Sequence, residues 1–297
     1  MKKLLVLIVT LAALWSGYWF VGAAGVKAGF AAWFDARQSE GWQAEYSDLS
    51  VKGFPNRFDT TLTDPALADP ATGLAWSAPF VQLFALSYKP NHIIAAFPEF
   101  QTLRTPEARF ALKSEKMQAS MVMEPKTDLA FNRANLAATA LTITPEAGAR
   151  IHIAGLQTAL ARENTSSYRA AFNADGLTPP LPAALTGELP EALTSFRADA
   201  TLDFTKPWDI TALEESRPQP TKIKLHLAEA EWGQLKLAAA GELSVDRTGT
   251  PTGTVTIKAR NWRDILALAT ASGALPAALT DQIEQGLSLL ANFSGNP

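Results

Sequence analysis

The sequence predicts a mainly β protein of the α+β class: large antiparallel sheets with a few packing helices, preceded by an N-terminal transmembrane helix. Three observations support this prediction. An uncharged apolar run that is long enough to span a membrane follows two lysines at the N-terminus. The C-terminal third alternates apolar and polar residues with a period of two, which is typical of half-exposed strands. Frequent prolines between residues 55 and 106 leave room only for short elements.

The composition excludes several classes of function. With 47% hydrophobic and 19% charged residues over 297 positions, the chain is expected to fold and not to stay disordered. Its net charge of −3 provides no basic surface for nucleic acid, so no nucleic-acid partner is expected. The absence of cysteine rules out disulfides, thiolate metal sites and cysteine nucleophiles.

Residues 1–25 are predicted to form a transmembrane anchor. At 1.5 Å per residue, the uncharged run from Leu4 to Gly25 spans about 30 Å, which is the thickness of a bilayer core. An aromatic cluster near its far end would lie at the membrane surface, and it consists of Trp15, Tyr18, Trp19 and Phe20. The positively charged end should stay in the cytoplasm, so we expect a single-pass protein of the inner membrane whose domain faces the periplasm.

The alternative interpretation of this segment is a cleaved signal peptide. Its apolar region would run from Leu4 to Leu14, and the small residues at 21–23 would form the cleavage site. The aromatic cluster and the full spanning length favour an uncleaved anchor. Both interpretations export the rest of the chain, and the cleaved form would be a secreted periplasmic protein.

The rest of the chain divides into a helical extension and a β-rich domain. The apolar periodicity continues to about Gln38 and Gly41 would end the helix, so residues 26–45 are predicted to extend it. Residues 46–297 then form the β-rich domain. Near 177–195, where two sub-halves of this domain would meet, four prolines predict a loop with one or two helical turns.

Short strands are predicted in the first part of this domain. Residues 58–62 alternate as a half-exposed strand does. Further strand candidates lie at 81–89, 109–113, 119–123, 151–161 and 198–204. His92 follows Pro90 and Asn91, and this placement predicts a turn residue.

The C-terminal third predicts an antiparallel meander. Three alternating segments within 222–259 are joined at 231–233 and 246–249, where glycines permit tight reversals. One face of this sheet would be apolar, and the other would be rich in lysine and threonine. The candidate residues of the apolar face are Leu225, Leu227, Leu235, Leu237, Val245, Val255 and Ile257. The sequence leaves open whether this face lines a ligand groove or packs into a filled core.

Two helices are predicted after the meander. Asn261 is in position to cap the first, with Asp264 at the acidic position of a capping box. The second starts at Leu275-Pro276, and its apolar stripe has helical spacing at Leu279, Ile283, Leu287 and Leu290. Such a stripe is more typical of core packing than of contact with a membrane or a partner.

Motifs for catalysis or cofactor binding are missing from the sequence. The glycine-rich stretch at 241–262 has no lysine after its glycines and joins two strands, so it predicts a hairpin and not a phosphate-binding loop. Nucleophile motifs such as GxSxG and SxxK do not occur, and the three histidines are far apart. We therefore expect no catalytic residues, no cofactor, no metal site and no enzyme activity.

The segment GFPNRFD at 53–59 is a second dense local motif. Gly53 and Pro55 predict a turn, after which Arg57 and Asp59 point to one side of a strand. The two charged side chains are expected to form a salt bridge. A contact between Arg57 and a lipid head group is the alternative.

Several segments together resemble a known bacterial family. They are the MKK start, SDLSVKGFPNRFDTTLTDP, YKPNHIIAAFP, FTKPWD and GELSVDRTGTPTGTVTIKARNWRDIL. On these segments the chain resembles, over nearly its whole length, the family called domain of unknown function 2125. The resemblance implies an inner-membrane-anchored periplasmic protein with no established activity.

A second and more distant resemblance concerns the C-terminal strands. The two strands around D-x-x-G-x-P-x-G and the helix after them resemble AsmA-like proteins. That resemblance implies large curved antiparallel sheets with a hydrophobic groove, anchored in the inner membrane and associated with lipid movement or outer-membrane homeostasis. This chain is much shorter than the long members that bridge the periplasm.

Two functional hypotheses follow from these observations. In the first, an anchored, non-enzymatic β-rich protein binds or passes lipid along its apolar sheet face in cell-envelope homeostasis. In the second, the chain is a structural or protein-interaction module of the cell envelope without a ligand groove. Its C-terminal helix and its sheet edges would then contact envelope proteins.

Overall fold

The computed structural model describes residues 1–179, 190–214, 216–271 and 275–294. This part of the chain contains four helices, α1 Lys2–Ser39, α2 Ile210–Glu214, α3 Trp262–Ala271 and α4 Ala277–Ser294. Its strands are β1 Gln43–Glu45, β2 Asp48–Lys52, β3 Arg57–Thr63, β4 Ala66–Asp69, β5 Leu74–Ser77, β6 Phe80–Leu86, β7 Lys89–Phe97, β8 Phe100–Arg104, β9 Arg109–Lys113, β10 Lys116–Met123, β11 Phe131–Pro145, β12 Ile151–Arg162, β13 Ser167–Thr178, β14 Leu193–Phe204, β15 Pro220–Trp232, β16 Leu235–Val245 and β17 Pro251–Arg260.

Helix α1 is one continuous element. Among the described helices it is the one that is long and apolar enough to cross a membrane, with a mean hydropathy of 2.1 in its most apolar window. Gly41, with a φ of +88°, follows its end, in a conformation that favours glycine. The helix thus continues well past residue 25 and ends at Ser39. The predicted helical extension over 26–45 is wrong at its end, because residues 43–45 have left the helix and pair with β4.

The strands form one antiparallel sheet that forks at β11. This strand pairs with β10 through its first part and with β9 through residues 142–145. One arm of the fork has the order β2-β3-β6-β7-β10, and the other has the order β1-β4-β5-β8-β9. From β11 to β17 the strands pair in chain order as a meander. The predicted mainly β fold with a large antiparallel sheet is confirmed.

The two arms of the fork enclose the first hydrophobic core. Its buried members come from strands of both arms, and they are Ala44, Leu49, Leu62 and Val81. Phe34 of α1 is buried in the same cluster, and Trp76 and Phe97 pack against it. The C-terminal half of α1 is therefore part of the folded domain.

A second core lies where the meander bends. Ala140 in β11 and Gly176 in β13 have φ values of +50° and +60°, and Ala154 of β12 lies against Gly176. Positive φ values at these positions interrupt the regular pleat and turn the strands. The buried residues at this bend are Ala138, Leu141, Ile153 and Ala174. The interrupted pairing thus coincides with a second cluster of buried apolar side chains.

Replacing Gly176 with alanine should destabilise the fold by about 1–3 kcal/mol, because a residue with a side chain is strained at positive φ. The new Cβ would also lie 2.9 Å from the Cβ of Ala154. Chemical denaturation of the full chain in detergent, followed by circular dichroism, measures the change. Gly155→Ala is the matched control, since the Cβ there would meet Asp175 at an ordinary 3.8 Å. Equal unfolding midpoints for the two variants would contradict this expectation.

Most of the predicted strands are confirmed. Residues 109–113 form β9, and the candidates at 119–123, 151–161 and 198–204 lie within β10, β12 and β14. The single strand predicted at 81–89 is wrong, because the chain turns at 87–88 between β6 and β7.

Two predictions for individual residues are wrong. His92 lies within β7 and not in a turn, because Pro90 is at the start of this strand, where a missing N–H is tolerated. Asn261 precedes α3 with a φ of +56°, and its side-chain amide donates to the carbonyl of Gln234 at 3.1 Å. The side chain is thus held against the β15–β16 turn and not against the helix.

Two further predictions fall partly outside the described residues. Within the proline-rich stretch near 177–195, β13 runs to Thr178 and β14 begins at Leu193, and residues 180–189 are outside the description. Helix α4 is confirmed, with Leu279 exposed and Ile283 half-buried. The side chains of Leu287 and Leu290 lie outside the described part of the chain.

A candidate apolar groove

Apolar side chains cross the sheet in rows that run perpendicular to the strands. In an antiparallel sheet, directly paired residues point to the same face, so the strand register shows which side chains share a row. The first row consists of Leu83, Ala95, Ala119, Leu136, Thr158, Phe172, Ala198, Ala228, Ala239 and Ile257. It crosses from β6 to β17, and Thr158 is its one polar member.

A second row lies beside the first, nearer to the β6–β7 turn. It consists of Ala85, Ile93, Met121, Ala134, Leu160, Ala170, Ala200, Leu225, Gly241 and Val255. A third row on the other side of the first includes Phe97, Met117, Ala138, Leu156, Ala174 and Phe196, and it continues to Leu237 in β16. The three rows make one continuous apolar face.

The middle of this face is hollow. Many members of the rows are alanines, whose short side chains leave space above the sheet. The resulting apolar groove has a cavity of about 830 Å³, which is lined mainly by β7 and β10–β14. Phe30 of α1 forms part of its wall. The volume lies within the range of about 300–1,000 Å³ that is typical of ligand pockets.

A cluster around Tyr168 closes one flank of the groove. Tyr168 is 1% exposed, and its ring contacts the rings of Phe131 and Phe204. Its hydroxyl oxygen accepts a hydrogen bond from the backbone N–H of Trp208 at 2.9 Å. The carbonyl of Trp208 in turn accepts from the N–H of Phe131 at 2.8 Å, which fixes this loop across β11 and β13. Sequence reasoning missed this cluster, because its members are distant in the chain.

The opposite face of the sheet is charged. Arg169 and Asp199 form a bidentate pair, with N–O distances of 2.9 and 2.6 Å. Hydrogen bonding to Arg169 lowers the pKa of Asp199 below its ordinary value, against the opposing effect of burial. Lys222 and Glu242 pair at 2.7 Å on the same face. The sheet is thus strongly amphipathic, with one face suited to water and one to apolar groups.

The structure places six of the seven predicted face residues together. Leu225 and Val255 lie in the second row, Ile257 in the first and Leu237 in the third. Leu235 and Val245 lie on the same side of β16 as Leu237, since side chains alternate along a strand. Ile257 is 64% exposed, so this end of the face is open and is not a packed core.

Leu227 lies on the charged face, so its predicted membership of the apolar face is wrong. It pairs with Asp199, whereas Ala200 pairs with Leu225 and Ala198 with Ala228. A bulge in β15 causes this change, because one extra residue there switches the alternation. The sequence contains the signal: Glu229 and Glu231 occupy odd positions after the bulge, whereas Ile223 and Leu225 hold odd positions before it.

Aromatic residues of α1 dock onto two turns of the first arm, which we call the tip: the turns at 53–56 and 87–88. Trp15 Nε1 donates to the carbonyl of Pro55 at 3.0 Å, and Trp19 Nε1 donates to that of Arg57 at 2.7 Å. Tyr18 Oη donates to the carbonyl of Ser87 at 2.5 Å. The aromatic cluster predicted to lie at the membrane surface therefore also joins α1 to the sheet.

Four of the charged and titratable residues singled out from the sequence have local partners. Arg57 and Asp59 form the predicted salt bridge at 2.6 Å, within β3. His152 Nδ1 is hydrogen-bonded to Thr142 Oγ1 at 3.1 Å, and His226 Nε2 is hydrogen-bonded to Thr201 Oγ1 at 2.8 Å. Within the described ranges, no three His, Cys, Asp or Glu side chains are grouped so that they could hold a metal ion.

The fold and the groove define a class of protein: an open antiparallel sheet with an apolar groove, joined to an N-terminal apolar helix. The chain belongs to the family described as uncharacterized protein conserved in bacteria (DUF2125), whose profile matches residues 19–297. The predicted family membership is confirmed, and the more distant resemblance to AsmA-like proteins stays a prediction. No curated protein and no solved structure matches the chain.

Proposed function

We propose that this chain is a membrane-anchored, non-enzymatic protein that binds lipid acyl chains in its apolar groove and passes lipid along it in the cell envelope. The observation that carries the proposal is the continuity of the apolar rows across the sheet, two of which run from β6 to β17. Large contiguous apolar surfaces are costly in water and mark sites for a ligand, a partner or a membrane.

An acyl chain fits this groove better than a polar ligand does. The floor offers alanine methyl groups and the walls offer larger apolar side chains, whereas Ser120, Asn135 and Thr158 are the polar residues of the lining. A polar ligand would leave its donors and acceptors unpaired there, at a cost of about 1–3 kcal/mol each. A hydrocarbon chain needs no such partners. The membrane that holds α1 is also the nearest source of hydrocarbon chains, and Phe30 of the same helix lines the groove.

The anchor sets the compartment in this proposal. Helix α1 crosses the inner membrane, Lys2 and Lys3 stay on the cytoplasmic side, and the β domain faces the periplasm. The docked aromatic residues favour an anchor that is retained, since cleavage at 21–23 would remove Trp15 and Trp19 from their partners.

Filling the groove should abolish lipid binding. In Ala198→Trp an indole ring would occupy the space above the first row, and the full chain purified in a mild detergent should lose most of its co-purifying phospholipid by mass spectrometry. Lys224→Trp is the matched control, because Lys224 lies on the exposed, charged face of β15. Ala119→Trp in β10 tests the same groove from another strand. Wild-type protein without lipid, or equal lipid in the folded variants, would overturn the proposal.

A second function, an interaction module of the cell envelope, is favoured by one observation. All ten residues of β17 are exposed, and within the described chain the strand register pairs this strand with β16 alone. Such an edge offers unpaired backbone groups to a strand of another protein. A photo-crosslinker at Lys258 should then capture one discrete protein in cells. Lipid in the groove without such an adduct would favour the first function.

A further inference from the structure

We propose that the tip, the turns at 53–56 and 87–88, lies inside the leaflet on the side of the β domain, and that the groove therefore begins within the bilayer. The occupant of this surface is the lipid bilayer itself. This inference rests on the part of the proposed function in which α1 crosses the membrane, and it does not depend on lipid being bound in the groove.

The position of the first contact along α1 sets the depth of the tip. Trp15 is the first residue of the helix that hydrogen-bonds to the tip. The eleven residues from Leu4 to Leu14 span only about 16 Å, whereas a hydrocarbon core is about 30 Å thick. If Lys2 and Lys3 lie at one surface of the hydrocarbon core, the tip lies inside the core and does not reach the opposite surface. A thinned bilayer reduces this depth and does not remove it.

The hydrogen bonds of the tip suit such a position. Backbone outside helices is tolerated at membrane depth only where other protein groups satisfy it. Two tip carbonyls, those of Pro55 and Ser87, accept hydrogen bonds from side chains of α1, and so does the carbonyl of Arg57 directly after the tip. The backbone N–H of Ser87 donates to the carbonyl of Asn56, which ties the two turns together.

Two of the three exposed side chains of the tip are aromatic, and the third is that of Asn56. Phe54 is 52% exposed, Tyr88 is 64% exposed, and Phe20 of α1 stacks on Phe54 at a centroid distance of 5.7 Å. Aromatic residues of this kind favour the boundary between head groups and acyl chains. Lys89 is exposed directly after Tyr88, and its flexible chain can extend the ammonium to the head groups.

The tip also leads into the groove. Ala85 and Ile93 of the second row lie on the two strands that the turn at 87–88 joins, and Met121 is their exposed neighbour in β10. On β13 the corresponding flank is closed by buried Tyr168. An acyl chain in the leaflet would therefore reach the second row beside β6, β7 and β10.

Depth-dependent fluorescence quenching tests the position of the tip. Because the chain has no cysteine, single cysteines can be introduced at Tyr88 and Asn56 and labelled with an environment-sensitive NBD group. The full chain is reconstituted into vesicles of phosphatidylethanolamine and phosphatidylglycerol that carry doxyl groups at shallow or deep positions. We expect Tyr88→Cys and Asn56→Cys labels to emit at shorter wavelength than a water-exposed label and to be quenched several-fold more strongly by shallow doxyl groups than by aqueous iodide.

Two control positions make the outcome decisive. Arg247→Cys in the exposed β16–β17 turn should be quenched by iodide and not by doxyl lipid, and Leu7→Cys in α1 should be quenched by doxyl lipid. If the labels at 56 and 88 are quenched by iodide and not by doxyl lipid, while the label at 7 is quenched by doxyl lipid, the position of the tip proposed here is overturned and the anchor is not. A label at 7 that is accessible to iodide would instead overturn the anchor, and with it this inference.

Discussion

Replacing Tyr168 with alanine should lower the free energy of unfolding by about 3–5 kcal/mol, the usual range for a large aromatic side chain removed from a core. The substitution would leave a cavity between Phe131 and Phe204, since both rings contact Tyr168. It would also remove the acceptor of the Trp208 N–H. Urea denaturation of the full chain in detergent, followed by circular dichroism, measures the loss.

Tyr168→Phe separates packing from hydrogen bonding. It keeps the ring and removes only the hydroxyl, so we expect a loss of about 1–2 kcal/mol from the donor left without its partner. Phe172→Ala lies four residues further along β13, over the open part of the groove, and should lower the free energy of unfolding less than Tyr168→Ala does. A Tyr168→Ala protein as stable as the wild type would contradict the closed flank described above.

Replacing Trp19 with alanine should have an effect of similar size, about 3–5 kcal/mol, because its side chain is only 6% exposed. The indole packs edge-on against Phe54, with ring centroids 5.4 Å apart, and also contacts Phe58. Its loss would leave the carbonyl of Arg57 without a donor from α1. We expect faster proteolysis and faster hydrogen exchange at 53–58, measured on the full chain in nanodiscs.

The control for Trp19 lies on the same helix. Val21 is highly exposed, so Val21→Ala should leave exchange at 53–58 unchanged. In Trp19→Phe the rate of hydrogen exchange at 53–58 should lie between those of Trp19→Ala and Val21→Ala, because an aromatic ring remains and the indole N–H is lost. Equal exchange in Trp19→Ala and Val21→Ala would show that α1 is not docked. In that case cleavage of the N-terminal segment would not destabilise the β-rich domain.

The sequence was most informative where a strand has one face in water. β15, β16 and β17 were predicted closely because lysines, threonines and glutamates alternate with their apolar residues. In the arms of the fork, β1, β2, β4 and β5 are strands of three to five residues, and so short an alternation cannot be distinguished from a loop. The fork itself depends on pairings between distant segments, which one sequence does not reveal.

The groove was only partly predictable, because alanine forms much of its floor. Ala95, Ala119 and Ala198 carry no clear preference for a groove, a core or a helix, and their place became visible only through the strand register. The contacts of α1 were hidden for a related reason. Tryptophan and tyrosine near the end of an apolar run predict a membrane interface, and the same side chains also satisfy carbonyls of a neighbouring turn.

The meander has a consequence for how this architecture can change in size. From β12 to β17 each strand pairs with its neighbours in the chain, so this part resembles a repeat array whose stability is a sum of nearest-neighbour terms. Inserting or deleting one hairpin would change its length by two strand spacings, about 10 Å, and would leave the fork and α1 as they are. The fork would thus stay constant, whereas the length of the meander away from the fork can change in evolution by one hairpin at a time.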